Sequence, residues 1–180
     1  MIPMAEEYSC AFDVGTLLHN LLFSYQKAAK GILGSGQEVF YHPTIDLLLK
    51  VETNSNLKLV SAQTLDEALT NYSTFLTRAG VMRNFKVNKN ENCKYTVAVE
   101  GCVWASHIHH ELGPKDVICP WAMIAMAIVQ KFKGERLTET ESKYLPDGSE
   151  TIIEPLRFGF SKEEALRLCS DGSKKPSAPS

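Results

Sequence analysis

The stretch that decides the fold is Cys119-Pro120-Trp121-Ala122-Met123-Ile124-Ala125-Met126-Ala127-Ile128-Val129. Every position from Trp121 to Val129 is apolar, so no polar face is left for solvent. A helix of this kind must be buried on all sides. Pro120 falls in the first helical turn, where its missing N–H costs nothing, and Gly134 marks the end. The rest of the chain has to supply the cover for this central helix.

Upstream, the apolar period is two. Phe85 and Val87 alternate with Asn84, Lys86 and Asn88; Tyr95, Val97 and Val99 alternate with Lys94, Thr96 and Ala98. The polar run Lys89-Asn90-Glu91-Asn92 joins them, which reads as an antiparallel hairpin with one solvated face. Downstream, Arg136 to Tyr144 and Thr151 to Glu154 flank the turn Pro146-Asp147-Gly148 and form a second hairpin. Glu139 and Glu141 should share one solvated side of its first strand.

Helices precede the hairpins. Val14, Leu17, Leu18, Leu21, Leu22, Tyr25, Ala28, Ala29, Ile32 and Leu33 keep a helical period, with Asp13 as a cap and Gly34-Ser35-Gly36 as the stop. A shorter helix is expected from Thr44 to Val51, behind Pro43. Thr64-Leu65-Asp66-Glu67 is a capping box that starts a third helix. A further box, Ser161-Lys162-Glu163-Glu164, starts a last helix ending near Cys169. Strands that come in hairpins, not singly between helices, define an α+β fold with helices on a twisted antiparallel sheet. Residues 1–169 form one domain, and the Ser-, Gly-, Lys- and Pro-rich residues 170–180 a disordered tail.

Composition narrows the partners. The 180 residues are 44% hydrophobic and 22% charged, with a net charge of −2. This balance gives no electrostatic reason to expect nucleic acid. No apolar run reaches the roughly 18 residues of a membrane span, and the N-terminus has no secretory leader pattern. Five irregularly spaced cysteines in such a chain read as reduced thiols of a cytoplasmic protein. The first helix carries more apolar surface than a small sheet can cover, so a homodimer is expected.

The chemistry concentrates in two near-repeats, Cys102-Val103-Trp104-Ala105 and Cys119-Pro120-Trp121-Ala122, with His107, His109 and His110 between them. Both tryptophans of the chain lie here. Two thiolates and an imidazole suit Zn²⁺ with one open position, so Cys102, Cys119 and one of His107, His109 or His110 form the candidate metal set. If residues 102–112 are helical, His107 and His110 are neighbours, whereas Cys102 and His109 lie about 10 Å apart along the axis and meet only if Cys102 precedes the helix. Both cysteines fall at helix starts, where a thiol pKa is lowered. A thiolate nucleophile served by His109 or His110 as base is the enzymatic alternative. Buried cysteines acting as small hydrophobes are the plain alternative. His19 and His42 read as structural or exposed, and Cys10, Cys93 and Cys169 as incidental. Phosphate-binding loops, dinucleotide fingerprints and nucleophile elbows are absent from the sequence.

The block from Gly80 to Glu154 resembles the vinyl-reductase-like, or hydrocarbon-binding, domain family. The likeness lies in a helix ending at Ala79-Gly80, a hairpin, the motif Cys102-Val103-Trp104-Ala105, Cys119 heading an apolar helix, and a closing hairpin from Leu137 through Asp147-Gly148 to Ile152-Ile153. The spacing also looks like that of L-2-amino-thiazoline-4-carboxylic acid hydrolase-like proteins. The resemblance implies a fold similar to haem-based nitric-oxide sensors and vesicle-tethering subunits. It also implies a sensor or carrier for a small apolar molecule, with a pocket lined by Trp104, Trp121, Met123, Met126 and Phe75 and the cysteines at its mouth. A cysteine-dependent hydrolase and an interaction subunit are the other implied classes. The chain departs from the family in having no cysteine in the last hairpin. Haem is not expected, because no Tyr-x-Ser-x-Arg motif is present.

Overall fold

The computed structural model describes residues 4–34, 38–55, 62–90, 93–114 and 116–156. The expected helix at 161–169 and the tail at 170–180 lie outside the described residues. Within them the fold is α+β. Helices α1 (Met4–Leu33), α2 (Glu38–Ser55) and α3 (Leu65–Arg78) are followed by strands β1 (Asn84–Lys89) and β2 (Tyr95–Glu100). Helix α4 (Pro120–Lys133) and strands β3 (Leu137–Leu145) and β4 (Gly148–Pro155) complete the order.

The two hairpins merge into one antiparallel sheet in the order β1-β2-β4-β3, with β2 and β4 pairing at its centre. Register follows the period-two pattern. Phe85 faces Val99 and Val87 faces Val97, while Thr151 and Ile153 of β4 sit opposite Val97 and Tyr95. Side chains of one parity therefore fill one face of the sheet. A single bulge interrupts β3 between Glu139 and Glu141, which pair with Ile153 and Ile152. Those two partners point to opposite faces, so the glutamates do as well. The expectation that they share one side fails because the extra residue, Thr140, shifts the alternation. Its hydroxyl donates to the Ile152 carbonyl at 3.2 Å.

Helix α4 meets the burial demand of its sequence. Ala122 and Ala125 to Val129 are buried, and Trp121, Met123, Ile124 and Phe132 pack half-buried against the same core. Each fully buried Met or Ile side chain stabilises the fold by about 1.5–3 kcal/mol. Gly134 ends the helix in the left-handed conformation (φ 70°), and its N–H reaches the Gln130 carbonyl. α3 packs on β1 and α4, and α2 lies along α4. The capping box of α3 forms as read: the Thr64 hydroxyl accepts from the Glu67 N–H at 3.2 Å, and Glu67 accepts from the Gln63 N–H at 2.8 Å.

Three boundaries differ from the sequence reading. α1 begins at Met4, well before Asp13. α2 runs from Glu38 with Pro43 inside it, so His42 lies in a helix and not in a loop. The expected helix at 102–112 is replaced by two short 3-10 turns, Ala105–His107 and His109–Glu111.

Candidate functional site

The segment from Gly101 to Ile118 has little regular structure, so its shape is set by what holds it. The tip of the second hairpin clasps one side. The Cys102 N–H donates to the Asp147 carbonyl at 2.7 Å, and the Tyr144 hydroxyl donates to the Val117 carbonyl at 2.6 Å. Helix α1 clasps the other side with residues spaced along one face. Gln26 makes a reciprocal pair of bonds with the Ile118 backbone (3.0 and 3.1 Å), Lys27 donates to the Glu111 carbonyl, and Lys30 bridges to Asp116 at 3.0 Å. The Gly113 N–H, then Lys30, holds the Asp116 carboxyl below its usual range.

At the centre of this clasp is a cluster of rings. His19 and Phe23 of α1 meet edge to face, with centroids 4.7 Å apart. The His109 ring lies 5.9 Å from His19, 5.6 Å from Phe23 and 5.1 Å from Tyr144. Trp104 lies 5.8 Å from His19 and stacks on Trp121 at 5.5 Å. Gly15 permits the approach of α1: a Cβ there would sit 2.7 Å from the Trp104 ring.

His19 and His109 are 3% and 5% exposed. Burial dominates their protonation, because a charged imidazole loses its hydration. It pushes His19 down to about 4, aided by the neighbouring His109 and opposed weakly by Asn20. It lowers His109 too, against the carbonyls of Leu145 and Gly148. Both rings are therefore neutral near pH 7. His109 Nδ1 lies 2.9 Å from the Leu145 carbonyl oxygen. That oxygen can only accept, so Nδ1 carries the hydrogen and Nε2 presents a bare lone pair. Nε2 is buried with no hydrogen-bond partner, as is the indole nitrogen of Trp104; the His19 ring and the Trp121 indole have no well-aligned partner, their polar neighbours being Asn20 and the Cys102 thiol.

The cysteines adjoin this cluster and are free thiols. Cys102 precedes the first 3-10 turn, and Cys119 is the N-cap of α4. The expected lowering of their pKa does not occur. Burial pushes the Cys102 thiol up, against the dipoles of Trp104, Trp121 and Ala105. Burial also pushes Cys119 up to about 11, against Ser149 and the backbone of Ala122 and Trp121, with Cys102 adding to the rise. Desolvation outweighs the helix start because both cysteines are buried. Cys93 is not incidental, as it is disulfide-bonded; its partner lies outside the described side chains. The five cysteines are therefore not all reduced.

The remaining site residues scatter. His110 is exposed and pairs with Glu111, and the side chain of His107 is outside the description. Met126 is fully buried in the core, Met123 half-buried, and Phe75 is 53% exposed on α3. Among the described residues no group of three or more His, Cys, Asp or Glu side chains is gathered to hold a metal ion. A cleft of about 360 Å³ opens elsewhere, between α3 and the first hairpin, lined by residues that include Leu65, Leu69, Val87, Tyr95 and Lys133. None of the ring cluster lines it.

Sequence reasoning missed His19, Phe23 and Tyr144. A signal for the first two was present: Gly15, His19, Phe23, Gln26 and Lys30 repeat at helical spacing, beside the Leu-rich stripe that drew attention. Comparison with models of protein families, with curated proteins and with solved structures gives no match to this chain.

Proposed function

We propose that the chain is a binding protein for a small, largely apolar molecule, held in the ring cluster between α1 and the 102–118 segment. The observation that carries this is the concentration of unpartnered buried polar atoms there. Buried polar groups in folded proteins are nearly all hydrogen-bonded, since leaving one bare costs about 1–3 kcal/mol. The His109 Nε2 and Trp104 indole nitrogens, bare and framed by aromatic walls, with the His19 ring beside them, suit a ligand with an apolar body and a hydrogen-bonding group. The likeness of residues 80–154 to the vinyl-reductase-like family supports the same reading. The high thiol pKa values weigh against a cysteine-dependent hydrolase.

The test uses 1-naphthol, an aromatic ring with one hydroxyl. Both tryptophans of the chain lie in the cluster, so their emission reports this site alone. We expect a saturable change in emission that weakens at least about tenfold in His109→Leu, the loss of one charge-free hydrogen bond and its geometry. A linear, unsaturable response would remove the proposal.

A zinc ion on Cys102 and Cys119 would need a third protein ligand, and among the described residues no His, Cys, Asp or Glu gathers with them to supply it. Elemental analysis of untagged protein, with and without Cys102→Ser and Cys119→Ser, decides that point. The two free thiols fit a cytoplasmic setting, against which the Cys93 disulfide weighs. No described helix is long and apolar enough to cross a membrane.

We also infer a homodimer. Val14, Leu18, Leu21, Tyr25, Ala28 and Ile32 are all exposed on α1, up to 72% for Tyr25 and 83% for Ile32. Their spacing of four, three, four, three, four is the seam of a two-helix coiled coil. The natural occupant of such a self-complementary stripe is the same helix of a second copy.

A further inference from the structure

We propose that His19 and His109 together form a two-coordinate site for a copper(I) ion. This goes beyond the ligand-binding reading, because it assigns a metal to a pair of residues with no sulfur in the set. The rings are 5.9 Å apart. Two imidazoles that share one ion nearly in line, through metal–nitrogen bonds of about 2 Å, hold their ring centres about 6 Å apart.

Each ring is prepared in the manner of a metal ligand. His109 donates Nδ1–H to the Leu145 carbonyl and keeps Nε2 buried and bare. A backbone carbonyl on the far nitrogen is the usual device for fixing the tautomer and orientation of a metal-bound histidine. His19 is buried with no well-aligned hydrogen-bond partner, Asn20 being the polar side chain beside it, and in either neutral tautomer one ring nitrogen carries a lone pair.

The choice of ion follows from charge and coordination number. No third His, Cys, Asp or Glu joins the pair among the described residues. A doubly charged ion that prefers four ligands would leave its charge uncompensated among Phe23, Trp104 and Tyr144, at high desolvation cost. A singly charged soft ion that accepts two neutral donors costs far less. The same rings favour a cation, since aromatic faces within about 6 Å attract positive charge. Imidazole is a good ligand for copper.

The experiment is an anaerobic titration of the full chain with copper(I), competed against the chromophoric chelator bicinchoninate. We expect one copper per chain. Affinity should fall at least about 100-fold in His19→Leu and in His109→Leu, because losing even an outer partner of a metal ligand costs 10–100-fold. Melting curves establish that these variants fold. His19→Met, which replaces imidazole by a soft thioether donor, should keep affinity within about tenfold of wild type. Cys102→Ser with Cys119→Ser should bind as wild type does. The proposal is overturned if the wild type does not compete, if both leucine variants bind unchanged, or if copper is lost in the cysteine variant. A folded His19→Met that loses copper overturns it as well. Naphthol binding without copper competition overturns this inference alone, and copper binding without a saturable naphthol response overturns the ligand reading alone.

Discussion

The two halves of this molecule solve the burial problem differently. In the sheet half, α3, α4 and the four strands bury apolar side chains against each other, and the buried hydroxyls of Ser142 and Thr151 bond each other at 3.0 Å. Around α1, the rings of His19, His109 and Trp104 carry buried nitrogens without a well-aligned hydrogen-bond partner while a stripe of leucines faces outward. The sheet half leaves buried polar atoms unpaired singly, such as the Tyr72 hydroxyl and Ser149 Oγ, and exposes Phe75 on α3. The α1 half gathers its unpaired atoms in one cluster and its exposed leucines in one stripe, which the proposals above assign to a ligand and to a second copy.

Substitutions in the two halves should separate them. Met126→Ala, deep in α4, should cost about 2–5 kcal/mol, the loss of buried methylenes plus the cavity left behind. A urea melt that moved by under about 1 kcal/mol would show that the α4 core is not close-packed. Gly15→Ala should cost about 1–3 kcal/mol although alanine is the better helix former. The added Cβ meets Trp104 at 2.7 Å, so overpacking at the α1 contact outweighs helix propensity. A gain in melting temperature would mean that α1 does not press on Trp104.

Acid should act mainly on the α1 half. The folded-state pKa of His19 lies below its unfolded value, at about 4. The stability it contributes is fully present above about pH 6.5 and lost as pH falls toward 4, up to roughly 2–3 kcal/mol. His19→Leu removes this slope and, by deleting bare buried nitrogens, should leave stability at pH 7 equal or up to about 1 kcal/mol higher. Chemical denaturation at pH 7, 5.5 and 4.5 checks both statements; parallel pH dependence in wild type and variant would contradict them. Leu21→Glu, on the exposed seam, should change monomer stability by no more than about 0.5 kcal/mol while converting a dimer to a monomer in light scattering. Wild type that is already monomeric at micromolar concentration removes the dimer.

The contrast also explains what could be read from sequence. The sheet half was legible because its physics is periodic: the unbroken apolarity from Trp121 to Val129 demands a buried helix, and Phe85, Val87, Val97 and Val99 alternate as strands must. The site was legible only as a neighbourhood. Its residues sit on α1, on 3-10 turns and on a hairpin tip, and their meeting depends on long-range contacts such as Gln26 with Ile118. His19 has no local feature that separates it from an ordinary helix residue. The thiols misled for a related reason, since position at a helix start is visible in sequence and full burial is not. The bulge at Thr140 was hidden because one inserted residue leaves the composition of a strand unchanged.

The measurement that bears most directly on the account is long-range ¹H–¹⁵N NMR of the imidazole nitrogens through a pH titration. The account predicts that His109 holds its proton on Nδ1, with Nε2 at the chemical shift of a bare lone pair, and that His19 stays neutral down to about pH 4. It also predicts that the Nε2 signal of His109 moves when 1-naphthol or copper(I) is added. Two histidines that titrate together near pH 6.5 and ignore both additions would show solvent-exposed rings, and no binding site between α1 and the 102–118 segment.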